Sequence, residues 1–393
     1  MSLEWNSYTI GESCELITGF PFKSKYYLDE GLFKVVRGDN VKEGFIKWDD
    51  KKRCWNELND KLKKVILKEE DIVIGMDGSK LGKNRATISK KDLPALLAQR
   101  VACVRAKEGF DQNYIKYVIL SNYFKSYVDK VKTGTSIPHI SLGQISEFTF
   151  EAPDYKKQKT ISSILSTIDK KITVNQEINK NLEEQLSLLF NDWFVNCTPF
   201  KNEELIKSEW DVVPESWKDI EFGELIEITS GNRPDEKSED KTSEFNIPLF
   251  GASKIMGYTK EYSYNEDILI IGRVGTHGVV QRVNYPCFPS DNTFVIKSDY
   301  YGFVYQLLKR IDYDSLNTGS TQPLITQKSL KSVNTILPDE KILSKFEMIS
   351  KTIFDKIQLN NDEISKLTKL RDTLLPKLMS GEIDVSKINC DLE

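Results

Sequence analysis

Residues 155–196 read YKKQKTISSILSTIDKKITVNQEINKNLEEQLSLLFNDWFVN and contain neither Gly nor Pro. The apolar residues of this stretch recur at spacings of three and four, which places them on one side of a helix. They are Ile161, Ile164, Leu165, Ile168, Ile172, Ile178, Leu182, Leu186, Leu189 and Phe190. At about 1.5 Å per residue, roughly forty residues make a rod on the order of 60 Å long. This is too long for an ordinary globular helix, so the stretch predicts a coiled-coil arm.

A second stretch, residues 340–380, repeats this pattern as EKILSKFEMISKTIFDKIQLNNDEISKLTKLRDTLLPKLMS. In the first stretch Asn175 interrupts the seam Ile161, Ile168, Leu182 and Leu189. In the second, Asn360 interrupts the seam Phe346, Ile353, Leu367 and Leu374 at the matching place. A single Asn in an apolar seam costs stability but fixes register and partner. We therefore expect antiparallel helices with Asn175 close to Asn360; the alternative is two unrelated amphipathic helices.

Composition sets wide limits on the function. The chain has 393 residues, of which 39% are hydrophobic and 29% charged, as in an ordinary globular protein of two domains. We expect no signal peptide and no membrane span, since no apolar run approaches the roughly 20 residues that cross a membrane. Single cysteines, without CxxC pairs, indicate reduced thiols in a cytoplasm. The net charge of −4 leaves any DNA binding to local patches.

The segments ahead of the first long stretch are also repeated ahead of the second one. The matched segments are 9–19 with 221–231, 33–46 with 247–259, 70–79 with 266–276, 98–104 with 291–296, and 133–141 with 318–326. Short apolar strands and glycine turns in each copy indicate an α+β fold with a partly rolled sheet. The sequence thus predicts a tandem duplication with pseudo-twofold symmetry, in which two β-rich globules are joined by two long antiparallel coiled-coil helices.

The predicted boundaries follow from this pattern. They are 1–152 for the first globule, 153–197 for the central helix, 198–336 for the second globule, 337–380 for the C-terminal helix and 381–393 for a tail. Segments 197–207 and 381–393 are predicted to be loose connectors, with Gly381 stopping the last helix.

No catalytic motif is found in the chain. A phosphate-wrapping GxxxxGK[ST] loop, a strand-coupled GxGxxG and an Asp/Asn-Pro-Pro-aromatic motif are all missing from the sequence. Pro-Asp pairs at 153–154, 234–235 and 338–339 each have a Lys within three residues. A nuclease site also needs a second acidic residue spaced along a strand just ahead of that Lys, and two of the three pairs stand at helix starts instead. Only two histidines occur, so zinc and imidazole chemistry are disfavoured. The sequence predicts no catalytic residues, no metal and no cofactor in this chain.

Polar and basic residues recur on the matched turns. In the first globule they are Arg37, Asp39, Asn40, Lys80, Lys83, Asn84, Arg85, Lys132, Ser136 and His139. In the second they are Ser253, Lys254, Arg273, Thr276, His277, Gln281, Arg282, Ser320, Thr321 and Gln322. Arg, Lys, Asn and Gln can read base edges, and Ser, Thr and Lys suit phosphates. We nominate Arg273 as a base reader and Lys80 or Lys83 as a phosphate contact; the alternative is solvated loops.

Three phrases carry a family resemblance: LFNDWFV at 189–195, VPESWK at 213–218 and LRDTLLPKLMSGEIDV at 370–385. Together, in this order, they resemble the specificity subunit of a type I restriction–modification enzyme. The resemblance implies that the globules are target-recognition domains, each binding one half of a split, asymmetric site in double-stranded DNA. The helices would act as a spacer and as a docking platform for two methyltransferase subunits, and restriction (motor–nuclease) subunits would join for cleavage.

The resemblance further implies that S-adenosylmethionine, ATP and Mg are used by the partner subunits and not by this chain. Two alternative interpretations, each from a different class of protein function, remain at this point. One is a DNA methyltransferase or nuclease with its own recognition domains, for which the catalytic motifs are missing. The other is a coiled-coil scaffold whose globules bind protein.

Overall fold

The protein forms two compact units in a computed structural model that describes residues 5–49, 52–134, 136–208, 210, 212–317 and 324–386. The first unit is Met1–Val174 with Glu363–Glu393, and the second is Asn175–Asp362. The boundaries between the two units therefore lie inside both long helices. The sequence, in contrast, predicted the two helices as segments separate from the globules. The physical reason is burial, because each half-helix packs its apolar face into the core of one globule.

The first unit combines nine short strands with helices in its described residues. Its strands are β1 (Asn6–Thr9), β2 (Cys14–Thr18), β3 (Phe33–Val36), β4 (Cys54–Trp55), β5 (Ile72–Gly75), β6 (Arg85–Thr87), β7 (Ala95–Leu97), β8 (Val101–Ala106) and β9 (Thr149–Ala152). Its helices are α1 (Ile10–Ser13), α2 (Asp60–Lys63), α3 (Gln112–Leu120), α4 (Asn122–Val131) and α5 (Leu142–Ser146), followed by the long helix α6 (Tyr155–Phe190). The strands form a sheet of order β2-β8-β5-β6, a sheet β4-β3-β7 with β3 parallel to β7, and the pair β1-β9.

The second unit repeats these elements. Its strands are β10 (Leu205–Lys207), β11 (Val212–Pro214), β12 (Lys218–Glu221), β13 (Glu227–Ser230), β14 (Ile247–Phe250), β15 (Ile255–Thr259), β16 (Ile268–Gly272), β17 (Gln281–Val283), β18 (Phe288–Pro289), β19 (Thr293–Lys297) and β20 (Asn334–Leu337). Its helices are α7 (Tyr301–Leu308), α8 (Gln327–Lys331) and the long helix α9 (Glu340–Met379). The sheets β13-β19-β16-β17, β15-β14-β18 and β12-β20 match those of the first unit strand for strand, and β10-β11 is an added hairpin.

Strand register confirms the duplication. Gly75 at the end of β5 pairs with Val101, and Gly272 at the end of β16 pairs with Thr293. Both β5 and β16 are buried along their whole length, as their apolar sequences predicted. Strand register therefore gives a residue-by-residue equivalence between the two units.

Two glycines at matched places are required by the same close approach of two backbones. A Cβ atom on Gly19 would lie 1.9 Å from the carbonyl oxygen of Ala98, and one on Gly231 would lie 2.2 Å from that of Ser290. No other residue fits such a contact. The glycines seen in the first matched segments thus reflect packing that both units share.

The long helices run antiparallel within each unit, as predicted. In the first unit Arg371 Nη1 lies 3.0 Å from Asp169 Oδ1. In the second, the rings of Phe190 and Phe346 lie 5.8 Å apart, and Asn360 Nδ2 donates to Asn179 Oδ1 over 2.7 Å. The partner found for Asn360 is therefore one turn further along α6 than Asn175. A direct contact between Asn175 and Asn360 stays a prediction, although both side chains are buried.

The predicted loose connectors are wrong where the structure describes them. Gly381 ends α9 with a φ of +74°, as expected, but Val385 beyond it is only 4% exposed in the core of the first unit. Likewise Cys197 is buried in the second core, and β10 pairs with β11. Burial of Cys197 and Val385 offsets the chain entropy that their segments lose. The residues of β10 are exposed, and backbone pairing with β11 orders them.

Candidate nucleic-acid interface

A cleft of about 520 Å³ opens in the first unit where β3, β5 and the turn before β8 meet. It gathers four of the predicted residues, Arg37, Asp39, Lys80 and Asn84. It also contains polar side chains that the sequence analysis did not select, namely Tyr27, Lys42, Asp77, Gln99 and Arg100. The guanidinium of Arg37 lies over the ring of Tyr27, with 5.5 Å to the ring centre. The cleft is thus lined by four cations and two carboxylates.

The glycine loop after β5 is attached to the predicted TG turn. Gly78, with a φ of +102°, donates its backbone N–H to the Pro138 carbonyl oxygen over 3.0 Å. Ile140 N–H donates to the Met76 carbonyl oxygen over 2.9 Å. These bonds bring together two loops that are about sixty residues apart in sequence, and the left-handed Gly78 makes the sharp turn possible.

A basic patch lies beside this cleft. Lys132 Nζ is 2.8 Å from Asp129 Oδ1, and this hydrogen bond holds the pKa of Asp129 below its ordinary value, with Lys125 and Lys83 adding positive charge. Exposed His139 has its Nε2 3.0 Å from Thr133 Oγ1, and Ser136 is exposed nearby on the same turn. Lys83, Lys132, Ser136 and His139 therefore form a second group outside the cleft lining.

Two predicted residues of the first globule have structural roles instead. Asn40 is fully buried, accepts the backbone N–H of Arg37 and donates to the Lys47 carbonyl oxygen, so it organises its own turn. Arg85 is 3% exposed, and its Nη1 donates to two carbonyl oxygens at the end of α3. Burial lowers the pKa of Arg85 to about 10. Both side chains are buried and bonded inside the unit, so the structure contradicts the exposed, DNA-facing position that the sequence predicted for them.

In the second unit the turns after β14 and β16 converge. A Cβ atom on Gly272 would lie 2.3 Å from the Thr276 carbonyl oxygen and 2.7 Å from the Ala252 side chain. Lys254 and Thr276 are exposed there, and Ser253 is half-buried. His277 packs near the Tyr313 ring, with 6.3 Å between ring centres. The predicted residues on these two turns are thus brought to one edge of the globule.

Arg273 occupies the place that Met76 has in the first unit. Its backbone N–H donates to the Asn292 carbonyl oxygen over 3.0 Å, as that of Met76 donates to Arg100 over 2.9 Å. Its guanidinium lies over the Phe294 ring, with 5.5 Å to the ring centre. Its Nε is buried and has no hydrogen-bond partner among the described residues. The role of Arg273 in reading bases stays a prediction.

The structure corrects two further residues of the second globule. Arg282 Nη2 lies 2.6 Å from Glu183 Oε1 on α6, and its guanidinium lies 3.9 Å from the ring centre of Phe354 on α9. Gln281 donates to the Gly251 carbonyl oxygen over 2.8 Å and supports that turn. Arg282 is thus engaged with the two long helices, and its strand neighbour Gln281 with the turn after β14. Ser320, Thr321 and Gln322 lie outside the described residues.

Sequence reasoning missed the turn that precedes the central strand of each globule. In the first unit it carries Gln99 and Arg100, and register makes Asp291 and Asn292 their equivalents in the second. All four positions are exposed polar residues between buried strands. The signal was available, because this turn lies at the start of a matched pair of segments and differs in sequence between the copies.

Among the helices of the described ranges, none is long and apolar enough to cross a membrane.

Comparison with known proteins agrees with the duplicated architecture. Residues 2–184 and 214–369 match the family described as Type I restriction modification DNA specificity domain. The type I restriction enzyme MjaVIII specificity subunit of Methanocaldococcus jannaschii is 24% identical to this chain, and the match covers 98% of this chain and 94% of that subunit. The MjaIX specificity subunit of the same organism is 27% identical, and the match covers 72% of this chain and 71% of that subunit. The crystal structure of a type I restriction–modification S subunit from M. genitalium has a TM-score of 0.58 at 17% identity, covering 96% of both chains. The chain belongs to the type I restriction modification DNA specificity family and contains two copies of its domain.

Proposed function

We propose that this chain is the DNA specificity subunit of a type I restriction–modification complex. Each globule binds one half of a split, asymmetric site in double-stranded DNA. The two long helices serve as the spacer between the half-sites and as the docking platform for two methyltransferase subunits, which restriction subunits join in the cytoplasm. S-adenosylmethionine, ATP and Mg are used by those partners.

One observation carries this proposal. The two units share strand order and register, yet the turns at the same edge of each sheet carry different polar residues. Arg100 of the first unit stands where the second has Asn292, and Met76 stands where the second has Arg273. A duplicated scaffold with different polar turns is what reading two different half-sites requires, because base edges distinguish donors from acceptors.

Selection of binding sites from a pool of random duplexes tests this function. The purified full chain is expected to enrich a consensus made of two short specified parts separated by an unspecified spacer of fixed length. A chimera that takes residues 71–104 from a relative is expected to change one part only. Enrichment of a single uninterrupted sequence would contradict the proposal, and no binding even at low salt would favour the protein-binding scaffold.

A matched activity test addresses the partners. The chain alone is expected neither to methylate nor to cut DNA when S-adenosylmethionine, ATP and Mg are supplied. Addition of its methyltransferase partner is expected to give adenine methylation at the selected site. Methylation or cleavage by the chain alone would contradict a non-catalytic role.

A further inference from the structure

The turn that leads into β8 contains a residue in an unusual backbone conformation. Val101 N–H donates to the Ala98 carbonyl oxygen over 3.3 Å, so Gln99 and Arg100 are the central residues of a tight turn. Arg100 has a φ of +64°, in the left-handed region. Gly or Asn normally takes this third position of a turn, since a larger side chain is strained there. A long cationic side chain is thus kept where a smaller residue would be favoured.

The fold itself does not require this conformation. The equivalent turn of the second unit closes with the same hydrogen bond, from Thr293 N–H to the Ser290 carbonyl oxygen over 3.0 Å. Asn292, the equivalent of Arg100, does not have a positive φ. The turn of the first unit is therefore strained at a position where the equivalent turn of the second unit is not. Backbone strain of this kind is typical of functional positions.

A carboxylate on a fixed support holds the Arg100 side chain. Arg100 Nη1 lies 2.8 Å from Asp77 Oδ2, and the Asp77 side chain is 25% exposed where that of Arg100 is 69% exposed. Asp77 forms a β-bridge with His139 at the end of the buried strand β5, so its backbone is well anchored. Among the described residues the Arg100 side chain makes this one hydrogen bond, which leaves four of its five N–H donors available.

The charges around Arg100 favour a base over a phosphate as its ligand. Arg37, Lys42 and Lys80 line the same cleft and suit the DNA backbone. Arg100 differs from them because the Asp77 carboxylate partly cancels its charge while leaving its directional donors in place. A phosphate gains little from such a group and is repelled by the carboxylate. A guanine, which offers the two neutral acceptors N7 and O6, matches a guanidinium held in one orientation.

We propose that Arg100 reads a guanine in the half-site of the first globule, with Asp77 as the positioning residue that aims its guanidinium. This assignment rests on the proposed function and goes beyond it by naming the residue, the base and the support. It also predicts that the two half-sites differ at the equivalent position, since Asn292 has the hydrogen-bonding pattern that suits adenine.

The test is selection from random duplexes with the full chain and four variants. Arg100→Ala and Arg100→Lys are expected to lose the preference for one guanine, with discrimination falling on the order of 10- to 100-fold, while the other half of the consensus stays unchanged. Lys fails because it cannot reproduce the planar fork. Asp77→Asn is expected to keep guanine preferred but with weaker discrimination. The control Lys80→Ala is expected to weaken all sequences alike and to reduce the salt slope by about one.

Retention of the full consensus by Arg100→Ala would overturn the assignment. Wild-type discrimination in Arg100→Lys would show that the planar guanidinium fork is not what selects the guanine, and would overturn the assignment too. The unchanged second half of the consensus serves as an internal control for folding of each variant. If the wild-type chain enriches no two-part consensus, the proposed function fails, which is distinguishable from failure of the Arg100 assignment alone.

Discussion

Replacement of Arg282 by Ala separates a structural from a DNA-reading role for this residue. The Arg282 side chain is 18% exposed and its partner Glu183 is 26% exposed, so the ion pair is shielded from much of the solvent. Glu183 also accepts the hydroxyl of Tyr305 over 2.9 Å, and the Arg282 guanidinium stacks on Phe354. One side chain therefore fastens β17 to α6 and α9 in the second unit.

The magnitude follows from these contacts. A hydrogen bond between charged groups contributes about 1.5–3 kcal/mol. A partly desolvated cation–π contact adds about 0.5–2 kcal/mol. Because both charges keep some solvent exposure, the lower part of the summed range applies, and Arg282→Ala is expected to cost about 2–4 kcal/mol. Arg282→Lys retains the charge but not the planar stacking, so its cost is expected to be intermediate.

Hydrogen exchange of the α7 amides measures this local cost, and urea denaturation followed by circular dichroism measures the global one. A double-mutant cycle with Glu183→Gln isolates the pair. The control Lys254→Ala changes an exposed residue of the same unit and is expected to stay within about 0.5 kcal/mol of wild type. A loss below that value in Arg282→Ala, or a changed half-site with the fold intact, would refute the structural assignment.

Three further outcomes are expected. Burial raises the pKa of Glu347 despite its hydrogen bonds from the Gly302 and Phe303 amides. The stabilising contribution of the protonated carboxyl is therefore fully present below the ordinary pKa of glutamate and is lost as pH rises through the folded-state pKa. Wild type should accordingly lose stability relative to Glu347→Gln as pH rises above the ordinary pKa, and a stability difference that does not change with pH would contradict this. Val385→Ala should cost about 1–3 kcal/mol by leaving a cavity in the first core, and an unchanged urea midpoint would show that the C-terminal segment adds no packing. Replacing Asn175 and Asn360 together by Leu should raise the melting temperature while loosening helix register. A lower melting temperature of the double variant in calorimetry would show that the Asn360–Asn179 hydrogen bond outweighs the gained apolar burial.

The architecture could be predicted from the order of residues alone. Helical periodicity in residues 155–196 and 340–380, and the matched strand and glycine segments, predicted two α+β globules with two antiparallel helices. These features are legible because they depend on the local spacing of apolar residues and on glycines required by close backbone contacts. The three short phrases predicted the family for the same reason, since each is a continuous stretch of the chain.

Which polar residues are available to a ligand could be seen only in the folded chain. Arg85, Arg282 and Arg100 all lie in a short strand or directly beside one. The side chains of Arg85 and Arg282 bond groups inside the fold, whereas that of Arg100 is exposed in a cleft. The free energy that separates these roles comes from partners far away in sequence, such as the Ile119 carbonyl oxygen for Arg85 and Glu183 for Arg282. A polar side chain on a turn has the same local pattern in each case, and its burial depends on contacts that only the folded chain creates.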